Sequence, residues 1–197
     1  MLDLLSFNLD WMSYNLFLAL IPVILAWLAY SVKNKLLKIS LLIIWLMFIP
    51  NTIYVVTDIL HLIQQTNNLS MLSWIILFIQ YSIFLILGLL TYILSLYPIE
   101  KMLKKHYKKQ KENITILLIA INFLIGFGVV LGRVHRLNSW DVVLGLNKVL
   151  DAAKEVVFSP NLILLAILSG LFANLIYFLF KEKIIKIIAR PFLTHIK

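Results

Sequence analysis

The sequence predicts an all-α fold, a polytopic membrane helical bundle with about five transmembrane helices. Hydrophobic residues make up 62% of the chain and charged residues only 14%, and the mean hydropathy is +0.96. A soluble domain averages about 45–50% apolar and roughly 25% charged residues. At 197 residues the chain is long enough for five or six spans and for no separate soluble domain, so residues 1–197 are predicted to form one domain.

Five apolar segments account for the predicted spans. Pro50 lies inside the second segment, and it predicts a kink or a break there because proline lacks a backbone donor and clashes with the preceding turn. Segment 141–157 has polar residues on one face and apolar residues on the other, which is typical of a helix in the membrane interface. Ser159 and Pro160 suit the cap and the first position of the last span. The predicted spans cover residues 12–31, 39–63, 71–96, 114–132 and 161–180.

The basic residues are distributed unevenly between the ends of these spans. Three lie in 33–38, six in 101–111 and five after residue 180, whereas the N-terminus and the 64–70 loop have none. Because cytoplasmic loops carry an excess of Lys and Arg, this distribution predicts an outside N-terminus and an inside C-terminus. It also predicts contact with anionic lipids and no nucleic-acid partner, although the net charge is +9. The first apolar segment has neither a basic residue before it nor a cleavage site after it, so we expect it to be retained as a span.

Several classes of chemistry have no sequence support. The absence of cysteine excludes disulfides, thiolate metal sites and dithiol redox chemistry. The chain has no nucleophile elbow, no HExxH zinc motif, no Gly-rich phosphate loop and no paired-carboxylate signature. We therefore expect no cofactor.

A row of polar residues follows the second half of the second span. Asn51, Tyr54, Asp58 and His61 are separated by three, four and three positions, and Gln65 continues the series. On an α-helix this spacing places them all along one narrow face. The intervening positions are mostly apolar, so the segment is predicted to be a lipid-facing helix with one polar seam that needs partners elsewhere in the chain.

A second polar cluster follows the fourth span at the same predicted depth. About 20 residues at about 1.5 Å rise cross the hydrocarbon, so crossings that begin near residues 39 and 114 end near Asp58 and Arg133. We expect an outward-facing polar pocket there, in which arginine pairs with a carboxylate and keeps it ionised. Gly128 and Gly132 predict close approach of the second span just below Arg133. The second cluster contains Arg133, His135, Arg136, Asn138, Trp140 and Asp141.

Together the two motifs resemble those of a bacterial membrane family known as domain of unknown function 1361. The resemblance spans nearly the whole chain and implies a multi-pass protein of the bacterial cytoplasmic membrane, but it supplies no activity. Members often have Ala-Pro after the Asn of the first motif, where this chain has Thr52-Ile53. The matching residues are Ile49-Pro50-Asn51, Tyr54, Thr57-Asp58, His61-Leu62, Gly132-Arg133, Arg136 and Asn138-Ser139-Trp140-Asp141.

Two interpretations of these residues involve a metal or catalysis. Carboxylate and imidazole groups suit zinc or manganese, but the neighbouring arginines would repel a cation, so no metal is expected. For an enzyme acting on a lipid-linked substrate, His61 and Asp58 are the acid–base candidates, with Arg133 and Arg136 binding the phosphate. The weak metal candidates are Asp58, His61, His135 and Asp141.

Two further interpretations need no chemistry. The leading hypothesis is recognition of an anionic lipid headgroup or a lipid-linked phosphate, with membrane lipids as partners. The alternative is an accessory or structural membrane subunit, in which Asp58 pairs with an arginine and Asn138 or Ser139 caps the following helix. A protein partner in the membrane is left open. The residues assigned to anion binding are Arg133, Arg136, Asn51, Tyr54, His135, Asn138, Trp140 and Asp141.

Overall fold

The computed structural model describes residues 2–65, 70–107 and 111–188. These residues form helices joined by short turns, and five helical units are long and apolar enough to cross a membrane. The all-α, five-span prediction is confirmed, whereas the orientation of the termini stays a prediction. The predicted loop residues 66–69, residues 108–110 of the basic segment and the tail from residue 189 lie outside the described residues. The helices are α1 (Leu2–Ser31), α2 (Lys35–Phe48), α3 (Pro50–Thr57), α4 (Ile59–Gln65), α5 (Met71–His106), α6 (Lys111–His135), α7 (Asp141–Leu144), α8 (Leu146–Phe158) and α9 (Pro160–Ile188).

Consecutive spans run in opposite directions, and this gives the bundle two chemically different ends. We call the end that contains Asp58 and Arg133 the arginine end, and the opposite end, with the last turns of α5, the lysine end. Helix α1 packs on α2, α3 and α5, and α6 packs on α9 and α3. Helix α3 therefore lies at the centre of the arginine end, in contact with α1, α5 and α6.

The first span is longer than predicted, because α1 begins at Leu2 and not near residue 12. Its additional turns are held against α4 and α5 by Asn8, which is fully buried. Asn8 Nδ2 donates to Gln65 Oε1 at 2.9 Å and to Gln80 Oε1 at 3.2 Å. Trp11 Nε1 donates to Asn8 Oδ1 at 3.2 Å. Asn8, which lies before the apolar segment predicted to span the membrane, thus finds hydrogen-bond partners inside the bundle. These bonds stabilise the additional N-terminal turns of α1.

The second span is interrupted twice, at Ile49 and at Asp58. The first break is the one that Pro50 predicts. The second break was not predicted, and it places a tighter turn at the carboxylate itself. There the Asp58 amide donates to Val55 O at 3.2 Å and the His61 amide donates to Asp58 O at 3.0 Å, both three residues apart.

The third span continues through Pro98 to His106, although the sequence predicts an end near residue 96. Proline removes the amide that would bond to the carbonyl four residues earlier, which belongs to Leu94. Trp27 Nε1 from α1 donates to that carbonyl at 3.1 Å. A side chain from a neighbouring span therefore replaces the missing bond, and the helix passes the proline.

Two glycines let α3 pack closely against its neighbours. A Cβ atom added at Gly128 would lie 2.5 Å from Pro50 Cγ, and one added at Gly88 would lie 2.4 Å from Val55 Cγ1. No side chain fits at either position without movement of the backbones. The predicted approach of the second span to Gly128 is confirmed, and it brings α3 beside the last turns of α6.

The amphipathic segment forms two helices, α7 and α8, separated by Gly145. Val156 is fully buried against α6 and α9, whereas Val143 and Phe158 are 74% and 82% exposed. The predicted cap by Asn138 or Ser139 is wrong: α7 follows Trp140 without a side-chain cap. Asp141 Oδ2 instead accepts a bond from the Asn138 amide at 2.7 Å, so this turn is closed by the carboxylate.

Polar side chains in the middle of the spans bond across helices. Asn122 Nδ2 donates to Asn174 Oδ1 at 2.9 Å, which links α6 to α9. Tyr92 OH donates to Asn122 Oδ1 at 2.8 Å from α5. Such bonds contribute about 0.6 kcal/mol each in membrane bundles, so they fix the positions of the helices more than they stabilise the fold.

We predict that Gly128→Ala lowers the free energy of unfolding by about 1–3 kcal/mol, because its methyl group would overlap the Pro50 ring. The matched control is Gly145→Ala, whose Cβ would meet nothing closer than 3.7 Å. Denaturant titration of both variants in detergent measures the difference. Equal stability of the two variants would contradict the packing described for α3 and α6.

Candidate functional site

Asp58 lies at the turn between α3 and α4, with 1% of its surface exposed. Its Oδ2 accepts a hydrogen bond from Asn15 Nδ2 at 2.9 Å, and its Oδ1 accepts one from Arg133 Nη1 at 2.9 Å. A buried carboxylate is tolerated only when its charge and its lone pairs are matched. Here both oxygens have a partner, and these come from different spans.

Arg133 lies in the last turn of α6 and forms the predicted ion pair with Asp58. Its guanidinium is also 5.6 Å from the centroid of the Tyr54 ring, within the range of a cation–π contact. Only Nη1 bonds to Asp58, and the side chain keeps 23% of its surface exposed. The other N–H donors of the guanidinium therefore stay available for another anion.

Arg136 is in the left-handed backbone region, with φ of 53°. Within the described residues it is the only non-glycine residue with positive φ, and its side chain makes no hydrogen bond or ion pair. Left-handed backbone costs a residue with a Cβ roughly 1–2 kcal/mol. The chain leaves α6 through this strained residue, and this turn brings a second arginine, without a partner in the described ranges, to the same cavity as Arg133.

These groups surround a cavity of about 450 Å³ at the arginine end. It lies between α1, α3, α4 and the turn after α6. Of the residues predicted from sequence, those that line it are Asn51, Tyr54, His61, Arg133, Arg136 and Asn138, and its other lining residues are Tyr14, Asn15, Leu18, Gly132 and Leu137. Asp58 is buried behind this wall, bonded to Arg133 and Asn15.

His61 forms part of the same wall and is 43% exposed. Its Nε2 is 3.9 Å from Asp58 Oδ1, beyond hydrogen-bond distance. Its ring packs against Trp11 of α1, with 5.4 Å between the ring centroids. The imidazole is therefore positioned by an aromatic contact and is accessible from the cavity.

Asn51 connects the two motifs directly. Its Nδ2 donates to Ser139 Oγ at 2.9 Å and to Phe48 O at 3.0 Å. Residue 48 ends α2, so the same amide group spans the break in the second span and the turn after α6. This bond fixes the loop that carries Arg136 and Asn138 over the cavity.

Three predicted residues lie outside the cavity: His135, Trp140 and Asp141. Two positions on a helix separated by two residues point about 200° apart, so His135 faces away from Arg133. His135 Nδ1 is 3.7 Å from Glu155 Oε2 of α8, and its buried Nε2 has no hydrogen-bond partner among the described residues. Asp141 closes its own turn with the Asn138 amide.

The four weak metal candidates do not come together in the structure. Asp58 and His61 are neighbours, but His135 pairs with α8 and Asp141 with the preceding turn. Within the described ranges, no group of three His, Asp or Glu side chains has a geometry that could hold a metal ion.

The sequence interpretation overlooked the contribution of the first span. Asn8, Trp11 and Asn15 fall at i, i+3 and i+7, so they share one face of α1, and all three bond to or pack against the polar seam. Asn8 donates a hydrogen bond to Gln65, and Asn15 donates one to Asp58. That spacing was visible in the sequence as two asparagines and a tryptophan along one helix face.

A second buried carboxylate, Glu100, also has a structural role that was not predicted. It is 3% exposed at the lysine end, where Oε1 pairs with Lys104 at 2.6 Å and Lys181 at 2.8 Å. Tyr177 OH donates to its Oε2 at 2.5 Å. These bonds tie α5 to α9 at the opposite end of the bundle from the cavity.

We predict that Asp58→Asn lowers the free energy of unfolding by about 3 kcal/mol, because it leaves Arg133 without its counterion in a mostly buried position. The matched control is Asp151→Asn, which removes an ion pair with Lys154 in which both side chains are exposed. The control should change stability by less than about 1 kcal/mol. A chemical-denaturation series on both variants makes the comparison, and equal effects would mean that the buried pair has no special role.

The family described as Protein of unknown function (DUF1361) matches residues 14–176. This range includes both motifs, all of the cavity lining and most of α9. No curated protein and no solved structure matches the chain. Since the match covers most of the 197 residues, the chain belongs to the DUF1361 family.

Proposed function

We propose that the arginine-end cavity binds the anionic headgroup of a membrane lipid or the phosphate of a lipid-linked molecule. The charge balance of the site supports this function. Two guanidinium groups line the cavity, and the single carboxylate behind them is already paired with Arg133. The cavity therefore carries an uncompensated positive charge, to which an anion would be attracted.

Arg136 is the observation that carries the proposal. Arg136 lines the cavity, its guanidinium has no partner among the described residues, and its backbone is held in a strained conformation. Strain of this kind persists where the surrounding structure requires it, and it is concentrated at binding and catalytic sites. A charge that served only solubility would need neither the cavity nor the strained turn.

Arg133 supports the proposal through its preorganisation. Asp58, which is itself held by Asn15, and the Tyr54 ring fix the side chain, so little rotamer freedom remains to be lost when an anion binds. A guanidinium presents paired donors that match two oxygens of a phosphate or carboxylate. With one arginine fixed and the other free to close, the pair forms a clamp for an oxyanion.

The position of the cavity favours a lipid over a soluble anion. Arg133 is in the last turn of a span, at the level where lipid headgroups lie. Tyr14, Tyr54 and Trp140 lie near the same end, as aromatic residues do at membrane interfaces. The uneven distribution of lysine supports an orientation with this end outside. The membrane that we propose is the bacterial cytoplasmic membrane, as the family resemblance implies.

We expect Arg136→Gln to reduce binding of an anionic lipid about tenfold while leaving the melting temperature unchanged, because its charge is unpaired. The probe is phosphatidate, titrated into the purified protein in neutral detergent and detected by native mass spectrometry. The matched control is Lys148→Gln, which removes one exposed positive charge from α8 outside the cavity. Equal losses in the two variants would indicate general charge attraction and would refute a specific site.

A second candidate function, an enzyme acting on a lipid-linked substrate, is favoured by His61. This imidazole is accessible from the cavity and lies 3.9 Å from a buried carboxylate. A substrate phosphate between the arginines would lie in the same cavity as a group able to donate or accept a proton. An accessory or structural subunit would need neither an accessible imidazole nor a phosphate site in the same cavity.

We predict that His61→Gln retains phosphatidate binding and, if the protein is an enzyme, abolishes conversion of the lipid. Purified protein in nanodiscs made from bacterial lipid extract is incubated, and its lipids are followed by mass spectrometry. His106→Gln, at the lysine end, is the control. If the His61 variant still converts the lipid, the imidazole has no catalytic role. If the unmodified protein converts no lipid, the enzyme hypothesis fails and only the binding function is retained.

A further inference from the structure

A second concave surface, of about 300 Å³, lies beside the cavity on the side of the bundle. It runs between α2, α3, α6 and α8, and most of its lining side chains are apolar. Asn51, Gly132, Leu137 and Asn138 line both spaces, so the polar cavity and this groove are adjacent. The groove therefore lies next to the cavity that Arg133 and Arg136 line.

The groove extends about one leaflet deep into the bundle. Leu124 lines it on α6, nine positions before Arg133, and a helix rises about 1.5 Å per residue. The distance along α6 is therefore roughly 13 Å, close to half of the ~30 Å hydrocarbon thickness. A hydrocarbon chain attached to a headgroup at Arg133 would occupy this range of depths.

The walls of the groove are shaped for a narrow occupant. Gly128 and Pro50, which contact each other closely, both line its floor. Val149 and Ala153 of α8, four positions apart on one face, form the opposite wall. The amphipathic helix thus lies along the groove as well as along the interface.

We propose that this groove holds a hydrocarbon chain of the same lipid whose phosphate is bound between Arg133 and Arg136. The inference rests on the proposed function, and it commits the site to a phosphate-bearing lipid with a chain, excluding a soluble phosphate ester as the natural ligand. Because the bilayer interior is as apolar as the groove, the chain gains little affinity there. The groove instead fixes the direction in which the lipid enters and the depth of its headgroup.

The test is photo-cross-linking of the full chain in nanodiscs. The probe is phosphatidate with a photoactivatable diazirine in the middle of one acyl chain, and the comparison lipid is diacylglycerol with the same labelled chain. We expect the phosphatidate to cross-link to groove residues such as Leu124 and Phe127 about tenfold more than diacylglycerol does, the factor expected for charge-assisted phosphate contacts. Cross-links at the lipid-facing Leu168 of α9 should not differ between the two lipids.

A matched pair of variants tests whether the groove itself is occupied. Val149→Phe fills the groove and should reduce its cross-links about fivefold, because an overpacked cavity excludes the chain. Val143→Phe adds the same side chain to an exposed position outside it and should change nothing. Leu124→Phe, at the deep end, provides a second obstruction should the first variant fold poorly, and melting temperatures identify that case.

The outcomes separate this inference from the proposed function. If phosphatidate binding depends on Arg136 but its cross-links spread evenly over the lipid-facing surface, the headgroup site stands and the groove is overturned. If groove cross-links are equal for the two lipids, the groove contains bulk lipid only, and the inference fails. If binding does not depend on Arg136, the proposed function fails first.

Discussion

The buried ion pair between Asp58 and Arg133 is the interaction on which the arginine end depends. Both oxygens of the carboxylate are used, one by Arg133 and the other by Asn15, so a single side chain joins three spans. A charge with so little exposed surface is stable only while these partners stay in place, and the loss of one leaves the others unmatched. The turn between α3 and α4 brings the carboxylate to this position, and the close contact between Gly128 and Pro50 lets α6 present the arginine. The geometry of the cavity follows from these constraints.

Arg133 alone would make this a structural site, and Arg136 is what makes it a candidate binding site. Arg133 joins the helices through its ion pair and thereby becomes a rigid donor, whereas Arg136 has no partner in the part of the chain that the structure describes and is placed by a strained turn. Asn51 links that turn to the break in the second span through Ser139. The arginine that holds the helices together and the arginine proposed to bind the anion are therefore close in sequence and line one cavity. The apolar groove beside that cavity matches the apolar part of a lipid.

Much of this arrangement could be predicted from the sequence, because membrane crossing fixes both length and depth. Counting residues from the start of each span was enough to place Asp58 beside Arg133. The helical period of the seam identified Asn51, Tyr54 and His61, which line the cavity. Local periodicity could not show that Trp27 would replace the bond lost at Pro98, since that contact depends on how α1 packs against α5. The same limit hid the pairing of Asn15 with Asp58 and the rotation of His135 toward Glu155. The cap at residue 138 or 139 was wrong because Asp141 competes for the same turn.

The central claim is that two motifs far apart in the sequence meet at one end of the bundle. Because the chain has no cysteine, a pair of introduced cysteines gives a test without background. Asn51 and Ser139, whose side chains are hydrogen-bonded at 2.9 Å, are the pair to replace, and Asn51 with Phe158 is the control pair. A short thiol cross-linker applied to the full chain in membranes should join the first pair efficiently and leave the second unlinked. Failure to link residues 51 and 139 in a variant that keeps its unmodified melting temperature would contradict the account.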